Sequence, residues 1–148
     1  MNKKVKIAVD AMGGENSPKK IIEGINLSLN KNTNNLFLLY GKKRDLDKEI
    51  SKNKNIIKYC EIIDTDDVIL DHESPLAALK RGKNSSMWRS INAQNENLAD
   101  ITLSAGNTGV LLVMSKILLK TLNGIDKPAL AGLWPNNIGM NIVLDLGA

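Results

Sequence analysis

Short strand-like apolar runs alternate with amphipathic runs along the whole chain, and this alternation restricts the fold more than any other feature. Residues 5–9 place Val5, Ile7 and Val9 at alternate positions, as a strand does. Residues 36–40 form a second such run, stopped by Gly41, and 56–63 a third; 100–103 is a short fourth, and 128–134 and 141–146 are two more. Between them Ile21, Ile22, Ile25 and Leu29 recur at helical spacing, as do Leu46 and Ile50 within 43–52. Two Ser-Pro pairs, Ser17-Pro18 and Ser74-Pro75, mark helix starts with serine as N-cap and proline in the first turn. Ser85 or Ser86 can cap a further helix through Asn92, and Thr108 can cap the helix 110–119. The nearly unbroken apolar content of 110–119 predicts burial on most sides. Strands alternating with helices predict an α/β fold, a three-layer α/β/α arrangement around a mostly parallel sheet. In such sheets ligands sit outside the carboxyl ends of the strands. The turns 10–17, 104–109 and 145–148 are therefore where chemistry is expected.

Composition narrows the function classes. The chain of 148 residues is 43% hydrophobic and 24% charged, in the range of an ordinary globular domain. Aromatic residues are only 3%, too few for the stacking platforms of single-stranded nucleic-acid binding. The net charge of +4 is uneven: residues 61–79 carry six acids and no base, while 1–60 carry thirteen Lys/Arg against six Asp/Glu. Seventeen lysines to three arginines, with abundant asparagine, reads as a coding bias, so nucleic acid is not an expected partner. The single cysteine, Cys60, permits no disulfide framework or Cys-rich metal site within the chain and suits a reducing cytosol. Lys3, Lys4 and Lys6 lead straight into a short strand, so no secretory leader is expected, and a cytoplasmic location follows. The longest apolar run, 110–114, falls far short of a membrane span. Residues 142–148 read as a buried strand running into a turn, so the chain is expected to end inside an element, as a truncated portion of a longer domain.

Three clusters can carry chemistry. In Asp10-Ala11-Met12-Gly13-Gly14 an acid at a strand end precedes two glycines that let backbone approach an anion, with a helix N-terminus beyond. A tight strand-to-helix turn needing glycine for its φ angles explains the same residues. The segment Ser104-Ala105-Gly106-Asn107-Thr108-Gly109 packs hydroxyl, amide and backbone donors into one turn, which suits a phosphate or an oxyanion; an ordinary capping turn is the plainer reading. It is neither a Walker loop nor a dinucleotide fingerprint. In Lys80-Arg81-Gly82-Lys83-Asn84-Ser85-Ser86-Met87 three cations precede two hydroxyls, fit for a mobile anion or for a solvated turn. His72, the only histidine, reads as a surface residue, and Cys60 as a small hydrophobe. The acids Asp64, Asp66, Asp67, Asp71 and Glu73 lack the spacing of an EF-hand, so no metal is expected.

Taken in order, these segments resemble the phosphate acyltransferase family called PlsX. The resemblance rests on residues 7–14, Ser74-Pro75, residues 83–87 and 104–109, Lys127-Pro128-Ala129-Leu130 and residues 144–148. It implies transfer of a fatty acyl group from acyl carrier protein to inorganic phosphate, giving acyl phosphate for phospholipid synthesis. It further implies an isocitrate/isopropylmalate dehydrogenase-like fold, a homodimer, peripheral membrane contact and no cofactor. On this reading residues 1–148 are the N-terminal portion of a single α/β acyltransferase domain. Asn107, Lys83 and Asp10 are the expected catalytic residues. Gly13, Gly14, Ser85, Ser86, Ser104, Gly106, Thr108 and Asp145 are expected to hold substrate or phosphate. The chain departs from the family pattern at Glu15-Asn16-Ser17, where Asp-His-Ala is usual, and at Lys127, where arginine is usual. Rival readings are a phosphotransacetylase-like enzyme acting on acyl-coenzyme A and a phosphate-binding module without catalysis.

Overall fold

A computed structural model describes residues 4–146. Four strands, β1 (Val5–Asp10), β2 (Asn35–Gly41), β3 (Cys60–Asp64) and β4 (Ile101–Ser104), form one parallel sheet in the order β3-β2-β1-β4. Helices α1 (Lys19–Lys31) and α2 (Lys43–Ile50) cover one face. There Val9, Phe37 and Leu39 meet Ile22, Ile25, Leu29, Leu46 and Ile50. The opposite residues of the pleat, Ala8 and Tyr40, face Ala93 of α4 (Ser86–Asn95). A third apolar cluster joins α3 (Pro75–Arg81), α4 and α5 (Thr108–Leu119) through Ala78, Met87, Ile91, Val110 and Met114. The expected three layers are present: helices, parallel sheet, helices. Among the described residues no helix is long and apolar enough to cross a membrane.

Two of the local capping signals hold. Ser74 caps α3, its hydroxyl accepting from the Ala77 amide at 3.3 Å, with Pro75 in the first turn. Ser85, not Ser86, caps α4, accepting from the Trp88 amide at 3.2 Å.

Four expectations are corrected. Ser17 does not cap α1: its hydroxyl donates to the Gly13 carbonyl at 2.5 Å, and α1 starts at Lys19 with no side-chain cap. The N-cap of α5 is Asn107, whose Oδ1 accepts from the Val110 amide at 3.0 Å, so Thr108 is already helical. The front of the third strand is a 3₁₀ helix, Lys54–Tyr59, closed by Ile56 N–H to the Asn53 carbonyl at 3.0 Å. It sends Ile56 into the core and leaves Ile57 exposed. Helix α5 buries only Val110 and Met114, while Ile117 and Leu119 stay exposed.

The last two strands do not join the parallel sheet. β5 (Ala131–Asn136) and β6 (Gly139–Leu144) form a separate antiparallel hairpin. Its turn is closed by Asn136 Oδ1, which accepts from the Ile138 and Gly139 amides at 2.8 and 2.9 Å. The segment expected to be buried is instead open, with Ile142 72% and Leu144 61% exposed. Gly147 and Ala148 lie outside the described residues.

Candidate functional site

Register brings the first two clusters together. Asp10 ends β1 directly opposite Ser104, which ends β4, with Tyr40 of β2 on its other side. Both strand-exit turns therefore leave the sheet at the same height. The Asp10 carboxylate is 1% exposed. Ser86 Oγ donates to its Oδ1 at 2.6 Å, and Ser104 Oγ donates to its Oδ2 at 2.7 Å. The Met12 amide adds a long bond to Oδ1 at 3.4 Å. Burial pushes the Asp10 pKa up, and the Ser86 and Ser104 hydroxyls and the Met12 and Gly13 amides pull part of it back. One carboxylate thus ties together β1, β4 and the first residue of α4.

Above this junction the two glycine turns press on one another. A Cβ on Gly13 would stand 2.5 Å from Asp10 Oδ2 and 2.8 Å from the Gly106 amide nitrogen. One on Gly106 would stand 2.9 Å from Met87 Cε and 3.3 Å from Gly13 Cα. Gly14 adopts φ +86°, and a Cβ there would meet the Ala105 carbonyl at 2.7 Å. Glycine is needed here both for conformation and for the approach of two backbones.

The turn 104–109 is held from below and from the side. Ser104 Oγ, while donating to Asp10, accepts from the Gly106 amide at 3.1 Å. Asn107 Nδ2 donates to the carbonyls of Asp71 and Glu73 at 2.7 and 3.0 Å. With Oδ1 on Val110 N–H, both ends of the Asn107 amide are engaged by the protein. Next along the chain, Thr108 and Gly109 open α5, where helix amides have no partner within the helix and the macrodipole is positive. A helix end of this kind is suited to an anion.

The sequence-expected residues thus fall into groups. Asp10, Gly13, Gly14, Ser86, Ser104 and Gly106 meet at one junction, and Asn107 and Thr108 continue it into α5. Ser85 lies beneath, fully buried, its hydroxyl donating to the Gly82 carbonyl at 2.6 Å. Lys83 is exposed on the 3₁₀ turn Gly82–Asn84 just before α4. Among the described residues no hydrogen bond or ion pair joins Asp145 to this junction; it follows β6, exposed, at φ 59°. The three-cation cluster is divided, because Arg81 is held by Asp67 and Glu73. Cys60 is half-buried on the edge strand, and burial pushes its thiol up to about 11. Sequence reasoning included Met87 in the third cluster but missed that its methyl lies against Gly106, and it missed the partnership of Arg81 with the acidic loop. A run of acids answered eight residues later by a lone arginine was the available signal for the latter.

Fold and site define a parallel α/β protein whose strand-end backbone amides and seryl hydroxyls converge on a buried carboxylate. A family model described as fatty acid synthesis protein matches residues 5–148. The chain belongs to that family, the one whose phosphate acyltransferases its motifs resemble. It is 53% identical over 148 residues to a phosphate acyltransferase of Pelagibacter ubique, covering 100% of this chain and 44% of that protein. It is 44% identical over 149 residues to a phosphate acyltransferase of Rhodopseudomonas palustris, covering 100% of this chain and 42% of the relative. A phosphate acyltransferase of Nitrobacter hamburgensis is 43% identical over 149 residues, with the same coverage of 100% and 42%. The chain therefore spans less than half the length of these curated relatives.

Proposed function

We propose that the protein to which this chain corresponds transfers a fatty acyl group from acyl carrier protein to inorganic phosphate, giving acyl phosphate for phospholipid synthesis. The observation that carries this reading is kinship over the full chain with proteins named phosphate acyltransferase. A phosphate oxygen attacks the thioester carbonyl carbon, the carbon–sulfur bond breaks, and the carrier's thiolate leaves and takes up a proton. A thioester is already activated, so the protein's task is to position phosphate and stabilise the tetrahedral oxyanion.

The junction is suited to that task. In this reading the first-turn amides of α5 at Thr108 and Gly109, with the Gly13-Gly14 turn opposite, receive phosphate. Lys83 supplies a nearby positive charge. Asp10 acts beneath, fixing Ser86 and Ser104 rather than touching phosphate, because both carboxylate oxygens already accept hydroxyl protons. Asn107 sets the start of α5. The same kinship supports an isocitrate/isopropylmalate dehydrogenase-like fold for the whole protein, with residues 1–148 as the N-terminal portion of its acyltransferase domain. A homodimer in the cytoplasm with peripheral membrane contact completes the proposal, and Asp145 joins the substrate set only if the whole assembly brings it there.

The test is incubation with radiolabelled phosphate and a long-chain acyl-acyl carrier protein. Labelled acyl phosphate is the expected product. Turnover with acetyl-coenzyme A and not with the carrier protein would replace this reading by a phosphotransacetylase, and phosphate binding without turnover would replace it by a binding module.

A further inference from the structure

The acidic loop 64–73 sits beside a site that, on the reading above, receives an anion, and its charge would oppose that anion. Two of its acids are not free. The Arg81 guanidinium grips Glu73 with both Nε, at 3.1 Å, and Nη2, and reaches Asp67 through Nη1. Nη2 also donates to the Val68 carbonyl at 3.3 Å. This is the two-pronged geometry that arginine offers a carboxylate and lysine cannot. Glu73 is the hub: its Oε1 also accepts from the Leu70 amide at 2.8 Å, closing the loop on itself. The Glu73 carbonyl, with that of Asp71, accepts from Asn107 Nδ2, and Asn107 Oδ1 holds the Val110 amide of α5. A continuous series of hydrogen bonds therefore runs from Arg81 through Glu73 and Asn107 to the first turn of α5.

We propose that Arg81 is a positioning residue that sets the first turn of α5 through Glu73 and Asn107 and offsets part of the loop's negative charge nearest the anion. It does not touch phosphate. Its role rests on the proposed function for the identity of the anion, but the hydrogen-bonded series does not. A single exposed ion pair would count for little; here the pair matters because it fixes the backbone to which Asn107 is bonded.

The full-length protein and its Arg81→Ala, Arg81→Lys and Glu73→Gln variants are compared by amide hydrogen exchange and by phosphate kinetics. The expected result for Arg81→Ala is about tenfold faster exchange at Val110 and in loop 66–73, with β1 and β2 unchanged. The KM for phosphate should rise about tenfold while kcat stays within about twofold, the mark of lost binding rather than lost chemistry. Arg81→Lys, which keeps the charge and loses the fork, should fall between. Faster exchange confined to 66–73, with Val110 and the phosphate KM at wild-type values, would overturn the proposal. If Arg81→Ala fails to fold, Arg81→Lys and Glu73→Gln decide on the same two measurements. If the wild-type protein makes no acyl phosphate, the proposed function fails, and exchange at Val110 alone decides for or against the series.

Discussion

The parallel sheet and the β5–β6 hairpin are made of similar residues and stand in opposite surroundings. Leu39 of β2 is 0% exposed between α1, α2 and its neighbouring strands, whereas Leu133 of β5 is 69% exposed. Leu133, Pro135, Met140 and Ile142 share one face of the hairpin and all lie open. Both regions satisfy their ladder hydrogen bonds, so backbone pairing does not distinguish them. Packed side chains do. The site follows the same division: its glycines and serines are fixed by hydrogen bonds and close packing at the end of β1, whose Ala8 and Val9 are buried on the two faces of the sheet, and nothing comparable fixes the end of β6.

The contrast yields predictions of decreasing size. Leu39→Ala should cost about 2–5 kcal/mol, read from urea midpoints, because a buried leucine loses both transfer energy and packing. Asp10→Ala should cost about 1–3 kcal/mol, chiefly for the buried Ser86 hydroxyl left without its acceptor, with half-buried Ser104 adding less. Its conservative partner Asp10→Asn tests the titration. Burial holds the Asp10 carboxyl above its ordinary value of 3.8, so the folded chain keeps that proton more tightly than the unfolded one. The stability this contributes is full below 3.8 and is lost as pH rises through the folded-state value. Asp10→Asn should therefore gain on the wild type as pH rises above 3.8, and a difference that is flat with pH would contradict the buried, titrating carboxyl. Gly13→Ala should cost about 1–3 kcal/mol, since its Cβ has no room, and should abolish turnover. Gly24→Ala, in α1 with nothing within 4 Å of a new Cβ, should instead add about 0.5–1 kcal/mol. Leu133→Ala should stay within about 0.5 kcal/mol, and a larger loss would show that the hairpin face is covered.

Much of the fold was legible in sequence because it depends on local chemistry. Ser74-Pro75 and Ser85 cap their helices from a few residues away, and Ile22, Ile25 and Leu29 face the core at helical spacing. Legibility ended where the partner lay elsewhere. Ser17 is the local exception: it looks like Ser74 in sequence, yet its hydroxyl turns back four residues to Gly13. The apolar content of α5 predicted burial that requires neighbours on every side, and α3 and α4 supply only some of them. The two glycine turns could be seen as candidates, but their contact arises from the pairing of β1 with β4, ninety-four residues apart at Asp10 and Ser104. The roles of the hydroxyls changed for the same reason. Ser86 and Ser104 read as ligands for phosphate, and in the structure both hydroxyls donate hydrogen bonds to Asp10.

The proposed function puts phosphate on backbone amides above the carboxylate junction, and a phosphate titration followed by residue-resolved amide shifts tests that proposal at the site. The account predicts saturable shifts at Gly14, Thr108 and Gly109, reduced in Gly13→Ala, with residues of the hairpin unmoved. Shifts confined to the lysine-rich residues of 42–58, or none at saturating phosphate, would contradict it.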